Sequence, residues 1–331
     1  MVFIRADANA QIGAGHMMRC LTIAHAFVEK GETVRFITAD HNSDGLIGGF
    51  DAICLNTVWT DAESELPKLF EAIKASKPSL VLIDSYCVTE HYFNELNQVV
   101  FTAYIDDLNA ACWNVDWLIN YNIFASVYDY SRYTGTSTRL LLEPRYAPLR
   151  KEFRLLPRHG INQSVTDILV SAGGADPEGI TERMIREVCP NWPDIRFHFI
   201  VGVLNPRIDE IKKLEKGNVI LHINERNMAE LMMKCDIAIS AAGITLYELC
   251  AAGTPTITYT LADNQIYADR QFDAQGLMVS AGDCRENDMF TACVSDKIQE
   301  LDYIKRSDLS ERMQNFVDGQ GADRIVEALL A

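Results

Sequence analysis

The first residues able to do chemistry are Gly13, Gly15 and His16, in the stretch Ile12-Gly13-Ala14-Gly15-His16. An apolar strand at residues 2–5 precedes them, and an amphipathic helix at residues 17–30 follows. Glycines at such a junction let backbone approach a ligand closely, and a helix start offers unpaired N–H groups to an anion. An imidazole there can take a proton near neutral pH and act as a general base. Position alone also admits a capping or surface histidine. The spacing is G-x-G-H rather than G-x-G-x-x-G, and Thr38 ends the second strand where a dinucleotide site needs an acidic residue, with Asp40 two residues on. No dinucleotide cofactor is expected.

Two further glycine turns come later, Ser171-Ala172-Gly173-Gly174-Ala175-Asp176 and Ala241-Ala242-Gly243-Ile244-Thr245. Each follows a strand and precedes a helix. The N–H groups at Gly243, Ile244 and Thr245, with the Thr245 hydroxyl, suit a diphosphate. Glu248, one turn on, suits the paired hydroxyls of a ribose. T-x-x-E is equally the spacing of a capping box, so both readings stay open. Asp84 and Tyr86 follow a third strand and Asp106 and Asp107 the next, at ends that face one crevice or else cap the turns that follow. Asn264 and Gln265 come shortly after a strand at residues 256–259, within reach of phosphate or sugar. A G-x-S-x-G elbow and a G-x-x-x-x-G-K-[ST] loop are absent. The histidines do not group with Cys or Asp at metal-ligand spacing, so no metal is expected.

These residues need a scaffold that brings strand ends together. Short apolar strands alternate with helix-length amphipathic segments, the pattern of α/β domains with parallel sheets covered on both faces. The 331 residues suit two domains. Periodicity fails from residue 128 to 163, so the expected domains are 1–150 and 151–331, both doubly wound and Rossmann-like. The chain carries 30 basic and 46 acidic residues, a net charge of −16, which disfavours nucleic acid and anionic lipid surfaces as partners. The longest apolar runs are strand-length, short of the 18 or so residues that span a bilayer. Nine scattered cysteines without a CxxC pair, and an N-terminus without the layout of a signal peptide, lead to the expectation of a cytoplasmic protein.

Seven segments together resemble a known family. They are RADANAQIGAGHMMRCLTIA at residues 5–24, LIDSY at 82–86, YIDDL at 104–108, YAPLRKEF at 146–153, VSAGGADP at 170–177, ISAAGITLYELCAAGTP at 239–255 and DNQ at 263–265. The chain is similar to the UDP-sugar hydrolases of pseudaminic acid biosynthesis, in the GT-B glycosyltransferase-like superfamily, in order from the N-terminus to about residue 275. The resemblance implies a GT-B arrangement, with UDP held mainly by the second domain and the sugar facing the first. It implies metal-independent hydrolysis of UDP-2,4-diacetamido-2,4,6-trideoxy-β-L-altropyranose at the anomeric C–O bond. It also implies that His16 activates water, that Glu248 binds the nucleotide and that Asn264 lies at the substrate. Tyr86 is expected to orient the sugar or the water. Family members often carry Asn shortly after the G-G-x-D segment, where this chain reads Pro177, Glu178 and Gly179. A glycosyltransferase using the same donor is the main alternative, and a nucleotide-sugar-binding module without catalysis is the second. The first domain shows no apolar or basic cluster for a lipid acceptor, which favours water. His16 argues against binding alone.

Overall fold

The computed structural model describes residues 1–9, 11–202 and 205–331; Ala10, within the first motif, lies outside them. The chain divides into two units, residues 149–319 and residues 1–148 with 320–331.

The first unit is a seven-stranded parallel sheet. Its elements are β1 (Val2–Ala6), α1 (Gly15–Glu29), β2 (Val34–Thr38), β3 (Asp51–Cys54), α2 (Leu66–Ser76), β4 (Leu80–Asp84), α3 (Glu90–Leu96), β5 (Phe101–Ile105), β6 (Trp117–Asn120) and β7 (Arg139–Leu142). The strand order is β3-β2-β1-β4-β5-β6-β7. Strands β1 and β4 are neighbours in register from Val2↔Leu80 to Ala6↔Asp84, yet the chain leaves β1 toward β2 and leaves β4 toward β5. That reversal opens a crevice at their carboxyl ends. Both strands are buried throughout, which is why VFIRA and LVLID lack the alternation of a half-exposed strand. On one face Phe3, Val81, Ile83 and Tyr104 pack against Leu69 of α2 and Phe93 of α3. The buried residues of α1, among them Ile23, Ala24 and Phe27, pack toward β1 and β2.

The second unit repeats the plan with six parallel strands. It contains β8 (Asp167–Ser171), α4 (Ile180–Arg183), β9 (Arg196–Val201), α5 (Ile208–Lys212), β10 (Val219–Ile223), α6 (Met228–Lys234), β11 (Ile237–Ala241), α7 (Thr245–Ala252), β12 (Thr256–Thr260), α8 (Ile266–Ala274), β13 (Val279–Asp283), α9 (Phe290–Glu300) and α10 (Tyr303–Phe316). Its order, β10-β9-β8-β11-β12-β13, puts the reversal between β8 and β11. The helical stretch after β8 is not uniform: α4 passes into a wider π turn at Met184–Val188 and a 3-10 turn at Cys189–Asn191. Pro190 lies in that last turn and has no N–H to continue an α-helix.

One expected boundary is corrected. The second domain was expected to reach residue 331, but the final helix, α11 (Gly321–Leu330), belongs to the first unit. Its apolar stripe, Ala322, Ile325, Val326 and Leu329, is buried, and the helix packs on α1. The close approach starts at Gly321, where a Cβ would collide with the backbone of Ala147. Three strands invisible to the sequence pattern, β3, β7 and β13, are all edge strands. An edge strand has one paired neighbour and need not be continuously apolar, so DAIC and VSAGD carry no clear signal, while RLLL is apolar but only four residues long.

Candidate functional site

The loop leaving β1 is shaped by Asn9. Its side-chain oxygen accepts from the N–H groups of Gln11 (2.8 Å) and Ile12 (3.0 Å), and its carbonyl accepts from Gly13 (2.8 Å). Gly13 sits at φ +73°, a left-handed conformation in which a side chain is strained. The chain then enters α1 at Gly15, so His16 occupies the first turn beside the β1–β4 crevice.

His16 is buried and its Nδ1 lies 2.5 Å from Oδ1 of Asp84, the last residue of β4. Arg19, one turn along α1, grips the same carboxylate with two bonds of 2.6 Å, Nε to Oδ2 and Nη2 to Oδ1. Burial alone would raise the Asp84 carboxyl, but Arg19 and His16 override it and hold Asp84 well below the usual carboxylate range. An ionised Asp84 only accepts, so a neutral His16 bonded to it donates from Nδ1 and has Nε2 as its acceptor nitrogen.

Beyond Asp84 the network continues through Arg19. Its Nη1 donates to Asp107 Oδ2 (2.8 Å) and to the Tyr121 hydroxyl (2.9 Å). The Tyr86 hydroxyl also donates to Asp107 Oδ2 (2.9 Å), while Asn122 donates to Oδ1 (2.7 Å). The Tyr86 ring meets the His16 imidazole edge-on, with centroids 4.6 Å apart. Tyr86 as a residue is exposed, but desolvation of its hydroxyl and then the nearby Asp107 push the phenol upward, so it stays protonated and acts as a donor. Asp106 has a separate task. Its carboxylate accepts from the N–H groups of Leu108 and Asn109 and from the Trp113 indole, which makes it a turn brace.

Under the crevice, Arg5 of β1 is fully buried in a network with Glu65 (Nη2 to Oε2, 2.7 Å), Asp7 (2.5 Å) and, through Glu65, the Tyr92 hydroxyl (2.9 Å). Burial lowers the guanidinium's affinity for its proton, but Glu65 and Asp7 more than reverse this, and Arg5 remains charged.

In the second unit, Gly173 and Gly174 follow β8 and Gly243 to Thr245 follow β11, at the ends of neighbouring strands. Thr245 is the first residue of α7 rather than its cap, and Ile244, at the cap position, supplies no side-chain bond. The capping-box geometry is therefore not formed. Glu248 instead accepts from Arg150 Nε at 3.0 Å, from within the YAPLRKEF motif. Burial raises the Glu248 carboxyl, and Arg150 partly offsets this. Asp176 is buried with both oxygens committed, one to the N–H of Ile180 (2.8 Å) and one to that of Thr181 (3.0 Å), so it starts α4. The side chain of Asn264 is exposed, and Gln265 accepts from the Leu261 N–H at 3.0 Å, closing its own turn.

Of the residues expected from sequence, the structure thus joins His16, Asp84 and Tyr86 at one strand pair, and gathers Gly173, Gly174 and Gly243 to Glu248 at another. Arg19, Tyr121, Asn9 and the role of Arg150 were missed. Arg19 had a signal: it lies three residues after His16, on the same helix face. Arg150 had none apart from the motif that contains it. Among the described residues no group of three His, Cys, Asp or Glu side chains is arranged to hold a metal ion, and no helix is long and apolar enough to cross a membrane.

Comparisons with known proteins give the following. No family model matches the chain. The UDP-2,4-diacetamido-2,4,6-trideoxy-beta-L-altropyranose hydrolase of Campylobacter jejuni is 24% identical over 250 residues, 73% of this chain and 85% of that protein. The Helicobacter pylori pseudaminic acid cytidylyltransferase and UDP-2,4-diacetamido-2,4,6-trideoxy-beta-L-altropyranose hydrolase is 26% identical over 290 residues, 83% of this chain and 47% of that one. The Bacillus subtilis spore coat polysaccharide biosynthesis protein SpsG is 26% identical over 196 residues, 57% of this chain and 56% of its own. Except for the Campylobacter protein, this chain spans about half the length of the curated relatives it matches. Among solved structures, MurG of Acinetobacter baumannii superimposes with a TM-score of 0.71 at 11% identity, covering 99% of both chains. The spinosyn rhamnosyltransferase SpnG gives 0.67 at 13%, covering 100% of both. The two parallel sheets with their helices match GT-B glycosyltransferase folds, and the sequence relatives include hydrolases of the family that the motifs resemble.

Proposed function

We propose that this chain hydrolyses a UDP-linked 2,4-diacetamido-2,4,6-trideoxy hexose at the anomeric C–O bond, releasing UDP and the free sugar. The Campylobacter and Helicobacter relatives are hydrolases of UDP-2,4-diacetamido-2,4,6-trideoxy-β-L-altropyranose by name, which supports this substrate class. The observation that carries the chemistry is the 2.5 Å contact of His16 Nδ1 with Asp84, which leaves Nε2 to accept a proton. In the proposed step a water oxygen bonds to the anomeric carbon with inversion and its proton passes to Nε2. The bond to the diphosphate oxygen breaks, and UDP departs with the electron pair. Asp84 fixes the tautomer and stabilises the imidazolium that forms. The N–H groups that open α7, together with the Gly173–Gly174 turn, would receive the diphosphate, and Glu248 the ribose. Charge on the leaving group is then met by helix and loop dipoles, so the proposal includes no divalent cation.

The fold shared with glycosyltransferases favours a second reading, transfer of the same sugar to an acceptor. Release of UDP from the purified protein, with and without added acceptor, decides. Release without acceptor supports hydrolysis; release only with one assigns transfer.

A further inference from the structure

The proposed base rests on Asp84, yet Asp84 shares its charge with Arg19, which forms two bonds to it. A carboxylate that also neutralises a guanidinium stabilises an imidazolium less than an unshared one would. The cluster contains a second carboxylate that changes this balance. Asp107 accepts from Arg19 Nη1 at 2.8 Å, and its side chain is only 12% exposed. Counting Arg19, Asp84 and Asp107 gives +1 − 1 − 1 = −1, so one negative charge is uncompensated when His16 is neutral. Uptake of a proton by His16 brings the cluster to neutrality. The same carboxylate anchors the Tyr86 hydroxyl, whose ring lies edge-on to the imidazole.

We infer that Asp107 is a positioning residue for the hydrolysis, acting on His16 through Arg19 and Tyr86 and making the cluster ready for the charge the base acquires. This rests on the reading of His16 as the base. The groups facing the imidazole are Arg19 from α1, Asp84 from β4 and Tyr86 from the loop that follows, and Cys20 of α1 meets Asp84 from the other side of the pair at 3.5 Å. Asp107, after β5, and Tyr121, after β6, lie one bond further out. Of these, Arg19 is the fixed positive charge and Asp84 and Asp107 are the carboxylates. Cys20 and Tyr86 are pushed upward by desolvation and stay neutral.

Asp107→Asn removes the charge and keeps the shape and one acceptor oxygen. With a carboxylate lost near the base, the imidazolium is less favoured. The acid limb of the kcat profile should therefore move to lower pH, while kcat at neutral pH falls roughly 10- to 100-fold and KM changes little. A defect in packing alone would lower the rate at every pH and leave the limb in place. Tyr86→Phe removes only the hydroxyl anchor, so it should lower kcat without moving the limb, and its loss should not add fully to that of Asp107→Asn. A second readout needs no substrate: titration of the His16 imidazole by nitrogen-15 NMR in the full chain, where the midpoint should be lower in Asp107→Asn than in the wild type. Equal midpoints, or a Asp107→Asn enzyme with wild-type kcat, would overturn the inference. A shifted midpoint in a protein that releases no UDP from any diacetamido UDP-sugar would uphold Asp107 and remove the proposed reaction instead.

Discussion

At the scale of single residues the first unit holds one imidazole against a carboxylate, His16 Nδ1 lying 2.5 Å from Asp84. Changing His16→Asn keeps a donor toward Asp84 and removes the acceptor nitrogen. With general-base loss worth roughly 10²–10⁴ in rate, kcat should fall by about that factor with little change in KM. Near-normal turnover would take His16 out of the mechanism and leave Asp84 as the next base to test. In the second unit, Glu248→Gln preserves an acceptor for Arg150 but loses the charge. If the carboxylate accepts from ribose hydroxyls, UDP affinity measured by calorimetry should drop by about 1.5–3 kcal/mol. Unchanged affinity in a folded protein would restrict Glu248 to its ion pair with Arg150.

At the scale of elements, the first unit depends on a helix supplied from the far end of the chain. α11 buries Ile325, Val326 and Leu329, and its first residue meets the Ala147 backbone too closely for any side chain. Gly321→Val should force that contact open and cost about 1–3 kcal/mol, read as a lower urea midpoint. An unchanged midpoint would mean that α11 adjusts without loss. The exposed Lys30–Glu327 pair, 2.7 Å apart, contributes little beside this burial.

The whole molecule carries a net charge of −16, so acid is a sensitive probe of its stability. Asp167, buried at the start of β8, would be raised by burial, but bonds from Arg196 (2.6 Å), His198 (2.8 Å) and Thr166 (2.9 Å) hold it at about 2. In the unfolded chain an aspartate titrates near 3.9. Because the folded value is the lower one, the stabilisation is fully present above about pH 4 and is lost as pH falls toward 2. Urea midpoints taken from pH 5 to pH 2 should fall more steeply in the wild type than in Asp167→Asn; parallel curves would contradict this. Catalysis by the whole protein should also survive EDTA, since the diphosphate is assigned to backbone N–H groups. A large loss of UDP release restored by magnesium would reverse that assignment.

The sequence alone determined the alternation of strands and helices, the glycine turns at strand ends, and the candidacy of His16, Asp84, Tyr86 and Glu248. These follow from local rules: buried parallel strands are continuously apolar, and turns at ligand crevices need glycine. It could not decide between partner and cap for Glu248, because T-x-x-E fits both; the structure puts Ile244 at the cap position and brings Arg150, 98 residues away in the chain, to the carboxylate. Asp106 and Asp107 looked alike as adjacent carboxylates, yet one braces a turn and the other joins Arg19, since successive side chains leave the strand end in different directions. Asp176, in the glycine turn after β8, accepts from the N–H groups of Ile180 and Thr181 at the start of α4, a pairing no local pattern shows. Arg5 lies near the end of an otherwise apolar strand segment, and its charge is buried only because the fold brings Glu65 and Asp7 to it. The return of α11 to the first unit was equally hidden, because which surface covers an amphipathic stripe is fixed by contacts across hundreds of residues and leaves no mark on the stripe itself.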